Sequence, residues 1–220
     1  KVERLLDTLF DIRITRGGIY QALHRVARVA EPTYDALSLW IRRDAPVVSP
    51  DETGWKVGGL LNWLWAFATP PVVVYAILPG RGFEQAASVL GEDFDGQLAR
   101  DGWAVYRRFL RALHQSCLAH LLRRCRENLE TAERGTARIP HAVKDILQAA
   151  LALRDRRDLR LISPHGLAVA RGRIETRMDR LLGWHPKDEE NRKLLKHLRT
   201  ERTALFTFLY HPEVPATNWW

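Results

Sequence analysis

Cysteine is scarce in this 220-residue chain, methionine occurs once, and no apolar run approaches the length of a bilayer. The two cysteines, Cys117 and Cys125, are too few for a disulfide framework and fit a reducing compartment. The longest apolar candidate, Pro70 to Leu78, stops at Pro79-Gly80, far short of the roughly 20 residues a membrane helix needs. The first residues mix Glu3, Arg4, Asp7 and Asp11 among the apolar ones, so they do not read as a signal peptide. Low-complexity tracts, internal repeats, a nucleotide-binding glycine motif and a Ser/His/Asp triad are all missing, and Gly80-Arg81-Gly82 is too short for a phosphate loop. What remains is an ordinary globular composition, 46% hydrophobic and 27% charged. The chain reads as an intracellular protein without membrane contact, and a first residue of Lys rather than Met leads us to expect a piece of something longer.

Charge is distributed unevenly. Residues 47–100 carry three Lys/Arg against six Asp/Glu, residues 101–220 carry 23 against 14, and the whole chain stands at +8. An acidic part suited to cations beside a basic part suited to phosphates is one reading; solvated arginines on helix faces are the other.

Apolar residues recur at helical spacing from Ile19 to Ala30, and a second short helix is expected over Tyr34 to Arg42, entered through Pro32. No recognition helix can be identified, so this pair reads as a packing hairpin as readily as a DNA-binding unit. Val47 to Ser49, Leu60 to Phe67 and Val72 to Leu78 read as three strands of a meander. A short helix over Arg81 to Leu90 and a fourth strand, Gln97 to Arg100, follow, the strand ending at Asp101. Beyond His120 the pattern is helical. Leu118, Leu121, Leu122, Cys125 and Leu129 form one stripe, and Ala142 to Leu161, Gly166 to Leu182 and Asp188 to Tyr210 form three further segments.

Asp51 in Asp-Glu-Thr-Gly-Trp and Asp101 in Asp-Gly-Trp each sit where a strand is expected to meet a polar turn. Taken alone, each is an ordinary turn aspartate. As a pair at neighbouring strand ends they suit a hard divalent cation. Glu52 would point to the opposite face from Asp51. Trp103 and Tyr106 are expected to pack beneath the site, with base stacking as the alternative. Cys117 and His120, with His114 and Cys125 nearby, have zinc-like spacing but lack the second cluster that structural sites use. Arg123, Arg124 and Arg126 share one helix and Arg173, Arg177 and Arg180 another, where they face phosphates or pair with Glu127, Glu130, Glu175 and Asp179.

These motifs, together with Ser88 to Gly96, Cys117 to Arg123 and His211 to Asn218, resemble the insertion sequence 66 family of bacterial transposases over nearly the whole chain. The resemblance implies an α/β fold: a ribonuclease-H-like mixed sheet core (residues 47–125) after an N-terminal helical segment (1–46). A large α-helical insertion (126–210) and a short return to the core (211–220) follow. It also implies a metal-dependent Asp-Asp-Glu enzyme that cleaves DNA and transfers a 3′-hydroxyl, with Asp51 and Asp101 holding Mg2+ or Mn2+ and Cys117 and His120 beside them. Transposon ends and target DNA are the implied partners, with a homo-oligomer, accessory proteins and a cytoplasmic, nucleoid-associated bacterial setting. The family's third carboxylate follows a Thr-Asn pair, but here Asn218 is followed by Trp219-Trp220, so the expectation is an inactive fragment or a non-catalytic DNA-binding remnant. Glu201 and Glu213 are the substitutes to consider.

Overall fold

A computed structural model describes residues 1–133 and 135–218, which form two compact units, the second beginning at Ile41. The first unit holds α1 (Val2–Phe10) and most of α2 (Arg16–Arg43). The expected break at Pro32 is absent. Proline removes one helical hydrogen bond and crowds the preceding turn, yet α2 runs through it for 28 residues. The surrounding turns are exposed, so water can take the carbonyl that proline leaves unpaired. The anticipated helical hairpin is therefore one helix, and no helix-turn-helix forms there.

In the second unit, β1 (Ser49–Val57), β2 (Leu60–Thr69) and β3 (Val72–Leu78) form an antiparallel meander. The β1–β2 turn is Gly58-Gly59, both at positive φ as a two-residue turn of primed type requires. The first strand lies later than expected. Thr53-Gly54 looks like a turn, but pairing with Leu64 and Trp63 across the ladder carries it as strand. Asp51 thus sits inside β1, opposite Ala66, rather than at a strand end.

After α3 (Phe83–Leu90) come β4 (Gln97–Arg100) and β5 (Leu113–Ser116), paired in parallel. A single parallel bridge, Val48 to Leu98, joins this pair to the meander, giving the order β3-β2-β1-β4-β5. β5 is not foreseen by the sequence reading. Four helices follow: α4 (Leu118–Glu130), α5 (Arg138–Asp158), α6 (Pro164–Leu182) and α7 (Glu189–Glu201). They enclose a core that includes Leu118, Val143, Leu147, Met178, Leu198 and Phe208. No helix among the described residues is long and apolar enough to cross a membrane.

The helix expected to reach Tyr210 stops at Glu201 and gives way to two 3-10 turns. The cause is capture of its backbone by β5. Thr207 Oγ1 donates to the His114 carbonyl at 2.6 Å, the Phe208 N–H donates to Gln115 Oε1 at 3.0 Å, and Gln115 Nε2 donates to the Leu205 carbonyl. The chain therefore rejoins the sheet at Leu205, earlier than the expected return at Pro212. It stays there, since the Leu118 N–H donates to the Ala216 carbonyl at 2.9 Å.

Glu201 fastens α7 to the sheet. Its fully buried carboxylate accepts from Arg100 at 2.5 Å, Arg107 at 2.8 Å and Ser116 Oγ at 2.7 Å. Burial alone would raise its pKa, but the two guanidiniums and the hydroxyl hold it below the ordinary glutamate range. Removing one partner of a buried pair leaves the other charge uncompensated, so Glu201→Ala is expected to cost about 3–5 kcal/mol in urea unfolding. Because the folded pKa is depressed, this stabilisation is complete above the unfolded pKa and fades as the pH falls towards the folded one. The gap between parent and variant stability should therefore narrow on acidification; a pH-independent gap would refute the charged cluster.

Candidate active site

The Val48 bridge sets the level of the two aspartates. Asp51 lies three residues beyond Val48 and Asp101 three beyond Leu98, on parallel neighbouring strands. Each spends one oxygen locally, as a turn aspartate does: Asp51 Oδ1 accepts the Glu52 N–H at 3.0 Å, and Asp101 Oδ1 accepts the Trp103 N–H at 2.9 Å. Their other oxygens have no hydrogen-bond partner among the described residues. Both carboxylates act on the same neighbour, the Tyr106 hydroxyl, whose pKa is raised first by burial, then by Glu52, Asp101 and Asp51.

Glu52 alternates to the inner side. Its side chain is 1% exposed and accepts from Arg81 Nε at 2.6 Å and from the Tyr106 hydroxyl. Burial raises its pKa against the pull of those bonds. Arg81 in turn stacks over Trp103 at 4.2 Å and Trp63 at 5.0 Å. Tyr106 is buried beneath the aspartates as expected, whereas Trp103 stays exposed.

On its other side Asp101 borders a cleft of about 180 Å3, shared with Gly102, Ser116, Cys117, His120, Leu121, Arg124 and His197. Cys117 caps the start of α4 and meets Asn218, its Sγ lying 3.0 Å from Asn218 Oδ1. Burial pushes the thiol up, but His120 and the Asn218 backbone bring it below the ordinary range. His120 is raised in return, chiefly by Cys117, and its Nδ1 is buried without a hydrogen-bond partner. His197 is lowered by burial and then by Arg124. His197 was missed by the sequence reading, because nothing marks a lone histidine in a Lys/Arg-rich helix as a neighbour of Asp101.

The zinc alternative is not formed. Both ring nitrogens of His114 are engaged, by Arg100 Nε and the Phe109 carbonyl, and burial raises Cys125 to about 12. Among the described residues no three His, Cys, Asp or Glu side chains are grouped for a metal ion. Of the substitute carboxylates, Glu201 is neutralised by two arginines, and Glu213 is half-exposed with one oxygen accepting from Gln97 at 2.9 Å. Trp219 and Trp220 lie outside the described residues.

The arginines divide. Arg123, Arg126 and Lys144 line a groove along α4 and α5, and only Arg124 reaches the Asp101 cleft. Arg126 lies 3.8 Å from Glu130 in an exposed pair of little energetic weight. On α6, Arg173, Arg177 and Arg180 are exposed, while Asp179 goes to Arg202 and Glu175 to Tyr210. α5 packs against both α4 and α6, so the two arginine sets stand on separate helices.

The model of the transposase IS66 family matches residues 1–219, and the chain belongs to that family. Membership supports a function in transposition. No curated protein and no solved structure matches the chain.

The cysteine environments make a direct prediction. At neutral pH iodoacetamide should label Cys117 ahead of Cys125 in the folded chain, as read by peptide mass spectrometry, because reaction needs the thiolate. His120→Ala should slow Cys117 labelling and reduce that preference, leaving the part that burial of Cys125 contributes. An unchanged Cys117 labelling rate in His120→Ala would contradict the assigned Cys117–His120 interaction.

Proposed function

We propose that residues 47–125, carrying a helical insertion that ends before the chain rejoins the sheet at Leu205, are a ribonuclease-H-like catalytic core that cleaves DNA and transfers a 3′-hydroxyl, with Asp51 and Asp101 as its metal-holding carboxylates. The observation that carries this reading is the pair's placement at one level of adjacent parallel strands, each with one oxygen unspent. The strand order β3-β2-β1-β4-β5 supports the fold assignment.

The donors fit Mg2+ or Mn2+: hard carboxylate oxygens, one on each strand, with Asp51 exposed and Asp101 half-buried. A divalent ion there supplies activation of the attacking oxygen and neutralisation of charge at phosphorus. The chain's own groups do the rest. The Glu52 and Trp103 N–H groups orient the carboxylates, and the Glu52–Arg81–Tyr106 cluster forms a rigid floor beneath them. The exposed arginines of α4 and α6 neutralise backbone phosphates. Joining transposon ends to a target calls for more than one copy of the enzyme, working on the bacterial nucleoid with any accessory proteins of the element.

A second reading, a DNA-binding remnant without catalysis, draws on one observation: Glu201, one of the two substitute carboxylates considered, is consumed by Arg100 and Arg107. Calorimetric titration of Mg2+ and Mn2+ separates the two. The parent chain should bind, and a variant with both Asp51→Asn and Asp101→Asn should not, with its melting temperature unchanged or raised by relief of repulsion. Absence of binding in both proteins would favour the remnant.

DNA affinity should fall linearly in log–log form with salt. Arg177→Ala should reduce that slope by about 1, as expected for one lost phosphate contact, and an unchanged slope would remove α6 from the interface.

A further inference from the structure

The cleft behind Asp101 holds more than the metal reading uses. Arg124 enters it with no ion pair or hydrogen bond among the described residues, and His120 leaves a buried ring nitrogen unpaired. Buried polar atoms without partners are costly and are commonly completed by something absent from the bare chain. His197 arrives from α7 by a close fit. A Cβ on Gly102 would stand 2.1 Å from His197 Cε1 and 2.6 Å from its Nε2, so the imidazole occupies the space a side chain at 102 would need. Gly102 is not at positive φ, so glycine serves space here rather than backbone freedom.

We propose that this cleft is a phosphodiester pocket, in which Arg124, His197 and His120 hold the phosphate oxygens of one DNA nucleotide against the metal-holding Asp101. The inference deepens the catalytic reading and rests on it for the identity of the ligand. The chemistry suits an anion. A guanidinium fork matches phosphate oxygens and each imidazole offers an N–H. Glu201, which acts on His197, is already neutralised by Arg100 and Arg107, and Glu52 is paired with Arg81, so neither repels. The size agrees: about 180 Å3, at roughly 30 Å3 per water, holds about six water-sized groups, enough for a tetrahedral phosphate. The placement also gives the helical region a task at the site, since His197 is the contribution of α7. His197 and Arg124 are positioning residues for the phosphate; no proton transfer is assigned to either.

The test is an NMR titration of the whole chain in chelator, following the imidazole signals of His120 and His197. The probes are inorganic phosphate and, separately, dimethyl phosphate as the diester. Both probes should give saturable shifts at both rings, with millimolar affinity. Arg124→Ala should weaken them about tenfold or more, the scale of one charge-assisted contact. Arg192→Ala, an exposed change on α7, should leave them unaltered. Gly102→Ala should displace His197 and weaken binding, and circular dichroism will show whether that variant folds; should it not, the Arg124 comparison decides alone. Absence of saturation, or equal affinity in Arg124→Ala, would overturn the pocket. A response to inorganic phosphate alone would overturn the diester assignment. Because no divalent ion is present, loss of metal binding at Asp51 and Asp101 would defeat the catalytic reading without touching this result, and the reverse holds as well.

Discussion

Val48 is fully buried and makes two backbone hydrogen bonds: its N–H donates to the Gln97 carbonyl at 2.8 Å, and its carbonyl accepts from Ala99 at 3.0 Å. These bonds join the antiparallel meander to the parallel β4–β5 pair, and they fix how far β1 extends past β4. Side chains alternate along a strand, so a one-residue slip would turn Asp51 inward and present Glu52 instead. The register thereby separates two adjacent carboxylates into different tasks. Asp51 stays open beside Asp101, while Glu52 goes below to Arg81 and Tyr106.

The same division recurs one strand away. Arg100 and Asp101 are adjacent, yet Arg100 is 2% exposed and locked to Glu201, whereas Asp101 faces the cleft. Two structural carboxylates, each neutralised by arginine, thus bracket the two aspartates that remain available. Such buried pairs are costly to assemble, and their usefulness lies in geometry more than in net stability. Here they hold the ends of β1 and β4 and bring α7 to the sheet. In the proposed mechanism that rigidity matters, because a cation and a phosphate must be placed within a fraction of an ångström.

Much of this was legible from residue patterns, and the failures have physical causes. Gln97 to Arg100 was recognised as a strand delivering Asp101 at its end, and β4 has those bounds. β1 was misplaced because Thr53-Gly54 has local turn chemistry, which nine cross-strand partners override. Pro32 signals a helix boundary, but an exposed helix tolerates the lost bond. β5 is four residues of mixed polarity whose His114 and Gln115 are spent on long-range bonds to residues 205–208, a pairing no local pattern announces. Cys117 and His120 were named from resemblance rather than from spacing; both line the cleft that Asp101 borders. His197 had no such pointer; only the vacancy at Gly102 betrays it, and only once the fold is known.

The claim on which the rest turns is that Asp51 and Asp101 hold one cation environment between them. Paramagnetic broadening by trace Mn2+ in amide NMR spectra tests it most directly, because the effect falls steeply with distance from the ion. The account predicts early loss of the Glu52, Gly102 and Trp103 signals together, with those of α6 retained. Broadening confined to one strand, or centred on an acidic surface away from both aspartates, would contradict it.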